Sequence, residues 1–285
     1  MAISKVLVVG SGTMGNGIAQ VCASHGLSVT MTDVEEASTK KGLLAIEKSL
    51  GRLVDKQKIT AADRDRTLGS IATGTDPVAA SAGADLVIEA VPERMELKLR
   101  LFGALSAAAP PHAILATNTS SLSVTEIAGA TAAPERVVGL HFFNPVPVME
   151  LLEIVRGLST SEGTVEAARA LAGRIGKKPI VVKDAPGFAT SRLGVILGCE
   201  AIRMLEQGVA SAEDIDTAMK LGYRHPMGPL ELTDLVGLDV RLSILEHLHR
   251  ELGEQFRPPS LLRQMVRAGR LGVKTGRGFY EHPRK

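Results

Sequence analysis

Short β-branched runs separated by amphipathic stretches organise the first 184 residues of the chain. Residues 5–9, 28–32, 85–89, 113–117 and 136–141 are continuous apolar runs, the form taken by parallel strands buried on both faces, and residues 151–155 and 179–182 add edge strands. Between them residues 15–25, 35–56, 93–109 and 161–176 carry apolar side chains at helical spacing, with Ser161 and Thr164 as capping hydroxyls ahead of Glu166. This alternation predicts an α/β domain with a doubly wound parallel sheet covered by helices on both faces. After Lys183-Asp184-Ala185-Pro186-Gly187 the period becomes helical and no convincing strand follows until the tail. Helices are predicted over 187–207, 211–221, 229–236, 238–252 and 259–268, Ser211 capping a first turn that holds Glu213 and Asp214. Two domains are therefore expected, 1–184 and an all-helical 185–285.

Composition narrows the class. At 45% hydrophobic and 22% charged, the chain has the mixture of a soluble globular protein. A net charge of +2 gives no general attraction to nucleic acid or an anionic membrane, and neither is expected as a partner. Cys22 and Cys199, the two cysteines, fall in predicted helices without metal-ligand spacing, which points to buried thiols in a reducing compartment and to no metal site. Residues 1–9 run straight into a strand and no apolar run is long enough to span a bilayer, so a cytoplasmic location is expected.

The first strand leads into Gly10-Ser11-Gly12-Thr13-Met14-Gly15, a GxGxxG between strand and helix, and Asp33 closes the next strand 18 residues after Gly15. Gly10 permits a tight turn, Gly12 a close approach of backbone to a pyrophosphate, and Gly15 close helix–strand contact, while the helix N-terminus offers unpaired N–H groups. Gly10, Gly12, Thr13, Met14, Gly15 and Asp33 are thus candidate cofactor contacts in a Rossmann-type domain. Asp33 would accept from the ribose hydroxyls and repel a 2′-phosphate, which favours NAD over NADP. The plainer alternative is that the glycines only shape a turn and Asp33 only caps a helix.

Alcohol oxidation needs a base for the hydroxyl proton, and histidine has the best-matched ordinary pKa. Of the seven histidines, His141 alone ends a predicted sheet strand, at the carboxyl edge where α/β proteins bind ligands. Glu153 sits in the apolar run Leu151-Leu152-Glu153-Ile154-Val155, where an unpaired charge is costly. A turn through Pro145 and Pro147 would let it orient His141; alternatively His141 is a satisfied core residue and Glu153 points to water. Asn118-Thr119-Ser120-Ser121 follows another strand and crowds polar groups at the same edge, or else caps a helix.

The segments GSGTMGNGIAQ (10–20), ATNTSSLSVTEIA (116–128), GLHFFNPVPVMELLEIV (139–155), PGF (186–188), DIDTAMKLG (214–222), HPMGPLEL (225–232) and TGRGFY (275–280) resemble the L-3-hydroxyacyl-CoA dehydrogenase family, closest to its short-chain 3-hydroxybutyryl-CoA members. The likeness runs along nearly the whole chain. It implies NAD-dependent, reversible oxidation of a short (S)-3-hydroxyacyl-CoA, as in β-oxidation, with His141 as general base or acid, Glu153 as its partner and Ser120 donating to the substrate oxygen. It places Asn118, Glu93 and Lys98 around the nicotinamide half of NAD, and Asn144 and Ser191 on the substrate side. By themselves Glu93 and Lys98 would read as charges on an exposed helix face. The resemblance also implies a homodimer through the C-terminal helices. One departure stands out, since the family's PGFxxN reads here with Ser191 in place of the asparagine.

The helix after Asp33 presents Lys41, Lys48, Arg52 and Lys56 on one face, and the resemblance assigns Arg52 and Lys56 to coenzyme A phosphates; a solvated basic stripe is the alternative. Rival functions are a dehydrogenase of another 3-hydroxy acid or of 3-hydroxyadipyl-CoA, and a non-enzymatic NAD or acyl-CoA binder of the same fold.

Overall fold

The computed structural model describes residues 3–283. The chain divides into two units, 1–184 and 185–285, each with its own apolar core.

The first unit is built on β1 (Lys5–Val9), β2 (Ser28–Thr32), β3 (Ile71–Gly74), β4 (Leu86–Glu89), β5 (Ile114–Thr117), β6 (Val137–Phe142), β7 (Leu151–Arg156) and β8 (Lys178–Lys183). They form one sheet in the order β3-β2-β1-β4-β5-β6-β7-β8. Neighbours are parallel except β6 and β7, which run antiparallel. The helices are α1 (Thr13–Ser24), α2 (Glu36–Asp55), α3 (Ala61–Gly69), α4 (Pro77–Ser81), α5 (Met95–Ala108), α6 (Val124–Gly129) and α7 (Glu162–Arg174). Every residue of β4, β5 and β6 is buried, which explains why these strands read as unbroken apolar runs. The chain winds outward in opposite directions from β1 and β4, so a ligand crevice is expected beyond Val9 and Glu89, at the strands' carboxyl ends.

Residues 151–155 were expected on an edge, yet β7 is interior. β8 pairs along its far side from Leu151↔Lys178 to Arg156↔Lys183, and Leu152 to Val155 are buried. The strand expected from residue 136 starts at Val137, because Arg136 closes a short 3-10 turn. β3, α3 and α4 escaped the sequence pattern: β3 is only four residues with none fully buried, and α3 buries Thr67 alone. The helix expected from 93 begins at Met95, so Glu93 lies ahead of it.

The second unit holds α8 (Thr190–Glu206), α9 (Ala212–Thr217), α10 (Pro229–Val236), α11 (Leu238–Leu252) and α12 (Ser260–Arg267) around Val195, Cys199, Ile202, Leu230, Leu245 and Leu248. The helix expected from 187 starts at Thr190 because Gly187 and Phe188 take positive φ, 76° and 48°, in the turn before it. The helix expected over 211–221 is α-helical only to Thr217 and continues as a π turn over Ala218–Gly222. Ser211 caps α9, its side chain accepting from the Asp214 N–H. Among the described residues no helix is long and apolar enough to cross a membrane.

Candidate active site

At the end of β1 the backbone turns at Gly10, whose φ of +101° is reserved in practice for glycine, and a Cβ there would come 2.6 Å from the Ala90 carbonyl oxygen. Gly15 is equally obligatory, since a Cβ would lie 1.7 Å from the Gly10 oxygen. Gly12 differs in having nothing within 4 Å of a notional Cβ, so it leaves open space in front of α1. No side chain caps α1, and its first-turn N–H groups face that space as an anion site.

Asp33 Oδ2 accepts from the Ser11 N–H and the Ser11 hydroxyl, each at 2.7 Å, and Oδ1 accepts from the Val34 N–H at 2.8 Å. Burial by itself would raise the Asp33 carboxyl, but the Ser11 and Val34 donors outweigh it and hold the group below the ordinary carboxylate value. A carboxylate accepts about four hydrogen bonds, so three donors leave room for a ribose hydroxyl. A cavity of about 670 Å³ runs past Gly10, Gly12, Thr13, Met14, Asp33 and Arg94. These features fit an NAD adenosine and pyrophosphate.

A second cavity of about 310 Å³ adjoins it, sharing Met14, Ala90 and Val91, and is lined by Glu93, Asn118, Ser120, His141, Phe143 and Asn144. The antiparallel register of β6 and β7 sets His141 directly opposite Glu153, and His141 Nδ1 lies 2.7 Å from Glu153 Oε2. His141 is 6% exposed and Glu153 0%. The sequence expectation that a proline turn folds Glu153 beside His141 matches this geometry. Phe143 packs on the imidazole with ring centroids 4.4 Å apart. Asn118 Oδ1 accepts from the Phe142 N–H at 2.9 Å, which fixes the amide next to His141.

Beneath this cavity lies a carboxylate–ammonium network. Glu93 Oε1 accepts from the Thr119 hydroxyl at 2.6 Å, the Ser120 N–H at 2.9 Å and, at the long distance of 3.4 Å, the Ser120 hydroxyl. Lys98 stands behind it, Nζ 3.2 Å from Glu93 Oε2 and 2.7 and 2.8 Å from the two oxygens of Glu89. Glu89 also accepts from the Val91 N–H and the Thr117 hydroxyl, both at 2.7 Å. Burial would raise the Glu93 carboxyl, but Lys98 and the Thr119 and Ser120 donors overcome it and hold the group below its usual value. The bare-sequence reading of Glu93 and Lys98 as charges on an exposed helix face is thus corrected. Glu93 precedes α5, and Lys98 is 1% exposed, turned inward onto two carboxylates. Capping of the following helix falls to Ser123, not to Ser120 or Ser121.

Other candidates stand apart. Arg52, in the last turn of α2, and Lys56, just beyond it, are exposed and line neither cavity. Ser191 stands in the first turn of α8, half-buried. Residues that sequence reasoning missed include Glu89, Ser11 and Lys177. Glu89 carried the same signal as Glu153, an acid in an otherwise apolar strand. Lys177 Nζ donates to the Val146 and Met149 carbonyls, both at 2.6 Å, and so ties down the segment that follows Asn144; a lone lysine ahead of a strand announces no such role. Among the described residues no group of His, Cys, Asp and Glu is placed to hold a metal ion.

Comparison with known proteins fits this arrangement. Residues 5–185 match the family profile "3-hydroxyacyl-CoA dehydrogenase, NAD binding domain", and residues 187–282 match "3-hydroxyacyl-CoA dehydrogenase, C-terminal domain". The chain is 45% identical over 281 residues to the 3-hydroxybutyryl-CoA dehydrogenase of Bradyrhizobium diazoefficiens, covering 98% of this chain and 96% of that one. It is 46% identical to the mitochondrial hydroxyacyl-coenzyme A dehydrogenase of Rattus norvegicus, over 98% of this chain and 91% of the relative. The crystal structure of (S)-3-hydroxybutyryl-CoA dehydrogenase from Ralstonia eutropha superposes with a TM-score of 0.96 at 45% identity, covering 99% of this chain and 100% of the other.

Proposed function

Because the chain belongs to the 3-hydroxyacyl-CoA dehydrogenase family, we propose that its substrate is a short (S)-3-hydroxyacyl-CoA, 3-hydroxybutyryl-CoA foremost, and that His141 is the base of the reaction. It is an NAD-dependent oxidoreductase. The observation that carries the reading is the His141–Glu153 pair at 2.7 Å, lining a cavity that adjoins the dinucleotide cradle.

NAD, when bound, supplies the hydride acceptor. Every proton movement is then left to the chain. Glu153 on Nδ1 holds the imidazole in the tautomer whose Nε2 accepts a proton, and its charge stabilises the imidazolium that forms when His141 takes the 3-hydroxyl proton. In the reverse direction the same imidazolium protonates the ketone oxygen. Ser120 donates to that oxygen, its backbone fixed by Glu93. Asn118, whose Oδ1 is engaged by Phe142, presents its amide N–H groups to the ligand. Arg52 and Lys56 meet coenzyme A phosphates, and Asn144 and Ser191 complete the substrate contacts.

The chain acts as a homodimer through residues 185–285, in the cytoplasm. Support for the dimer comes from large apolar side chains left exposed on the second unit, Leu193 at 69%, Leu221 at 79% and Tyr223 at 76%. Sedimentation at micromolar concentration tests it, and a monomer there contradicts it. The function is tested by assaying NADH formation from (S)-3-hydroxyacyl-CoA thioesters of increasing chain length, with the (R) isomers as controls. The highest kcat/KM is expected at the four-carbon (S) substrate; a clear preference for long chains or for the (R) isomers contradicts the reading.

A further inference from the structure

Glu89, the last residue of β4, is 0% exposed and lines neither cavity. Its carboxyl meets four donors at 2.7–2.8 Å: the Val91 N–H and Lys98 Nζ at Oε1, the Thr117 hydroxyl and Lys98 Nζ at Oε2. Four donors, one pair of them from an ammonium, saturate an ionised carboxylate. Lys98 has one N–H left, which goes to Glu93 Oε2 at 3.2 Å. Two carboxylates thus share one ammonium, and the cluster holds one negative charge in excess. Lys98 would balance Glu93 by itself, so Glu89 is the source of the excess. Fixing the Val91 N–H and the Thr117 hydroxyl calls for an acceptor and not for a charge, and a buried charge is costly.

That excess adjoins the cavity of His141. Ala90 and Val91, which follow Glu89 in the chain, line this cavity together with Glu93, and no lysine or arginine lines it. Hydride transfer needs the reacting atoms about 3–3.5 Å apart. With the substrate hydroxyl at His141 and the pyrophosphate in front of Gly12, the nicotinamide ring belongs in this cavity, which shares Met14, Ala90 and Val91 with the dinucleotide cradle. The oxidised ring is a cation and the reduced ring is neutral. A fixed negative charge beside the ring therefore favours the oxidised form, and a charge buried away from solvent is little screened.

We propose that Glu89 is a positioning residue that acts through Lys98: by holding the ammonium it leaves the charge of Glu93 uncancelled beside the nicotinamide, and so biases the enzyme-bound equilibrium toward oxidised cofactor and hydroxyacyl thioester. In that direction the ketone carbon takes the hydride with its electron pair and the ketone oxygen takes the proton of the His141 imidazolium. The cofactor is left as the cation that the excess charge favours. The inference rests on the proposed roles of His141 as base and of Glu93 and Lys98 beside the nicotinamide half of NAD.

The test is a ratio of dissociation constants, Kd of NADH over Kd of NAD, from NADH fluorescence titration and its competition by NAD. Glu89→Gln keeps the shape of the side chain and removes the excess charge. It is expected to lower the ratio about three- to thirtyfold, mainly by weakening NAD. Lys98→Met, which adds to the excess, should raise the ratio, and the double variant, with Glu93 as the one remaining charge of the cluster, should return it close to the wild-type value. Structural damage alone would weaken both forms alike and leave the ratio in place. An unmoved ratio in Glu89→Gln overturns the proposal, and so does a double variant whose ratio stays with Lys98→Met. If Glu89→Gln does not fold, the fall in ratio from Lys98→Met to the double variant decides. Binding of both cofactor forms with a ratio that ignores these charges leaves the proposed function standing while this inference fails; a wild type that binds neither form ends both.

Discussion

At the scale of single residues, cofactor choice turns on Asp33. Its three internal donors hold the carboxylate ionised at the rim of the dinucleotide cavity. A 2′-phosphate, with a charge near −2, would meet that carboxylate at close range. NAD is therefore expected to be used at least tenfold better than NADP, a difference of about 1.4 kcal/mol. The ratio of kcat/KM for the two cofactors measures this, and a ratio near one contradicts it. Ser191 is the other residue on which a choice rests. If its hydroxyl reaches substrate, directly or through a water, Ser191→Ala should lower kcat/KM about two- to twelvefold. An unaltered value across the acyl-chain panel would make it a packing residue.

Among elements, β4 and α5 are locked together by Glu89 and Lys98, and that lock stands under the Ser120 segment through Glu93. Lys98→Met would strand Glu89, 0% exposed, without a cation, and a loss of about 3–5 kcal/mol is expected in urea unfolding. Adding Glu89→Gln should recover much of it, because the stranded charge is then gone. The Glu93 carboxyl is held below its ordinary value of 4.5, so its contribution to stability is present above that pH and is lost as pH falls through the folded-state pKa. Glu93→Gln should accordingly flatten the acid limb of a plot of melting temperature against pH; an unchanged limb would mean that the anchoring is weak. On α2, Arg52→Ala and Lys56→Ala are expected to raise KM for the coenzyme A thioester while sparing a truncated pantetheine thioester, which lacks the phosphates. Parallel losses on both substrates would favour a structural role.

On the scale of the whole molecule, what the sequence made legible follows from how each element is stabilised. Strands buried on both faces announce themselves as apolar runs, and β1, β2, β4, β5 and β6 were all readable. β3 and α3 were not, because neither contributes more than a trace to the core. Position within the sheet was harder to read than strand identity: nothing in residues 151–155 says that β8 will cover their outer side. The glycine loop, Asp33, His141 and Glu153 were readable because each breaks a local rule within an apolar strand or just beyond its end. Lys98 was not, since a charge on a helix looks the same in sequence whether it faces water or the interior. Burial also governs the thiols. It pushes Cys22 up to about 12 and Cys199 up to about 11, so neither is expected to react with a thiol reagent until the protein unfolds. Rapid labelling of either in the native protein would contradict the packing described.

The account depends most on His141 as the base, and one comparison reaches it directly: oxidation of (S)-3-hydroxybutyryl-CoA by NAD, followed as NADH formation, with the parent enzyme and His141→Gln side by side. The expected result is turnover by the parent and a loss of about 10² to 10⁴ in kcat for the variant, with NAD affinity nearly unchanged. A variant within threefold of the parent would put the base elsewhere and contradict the mechanism.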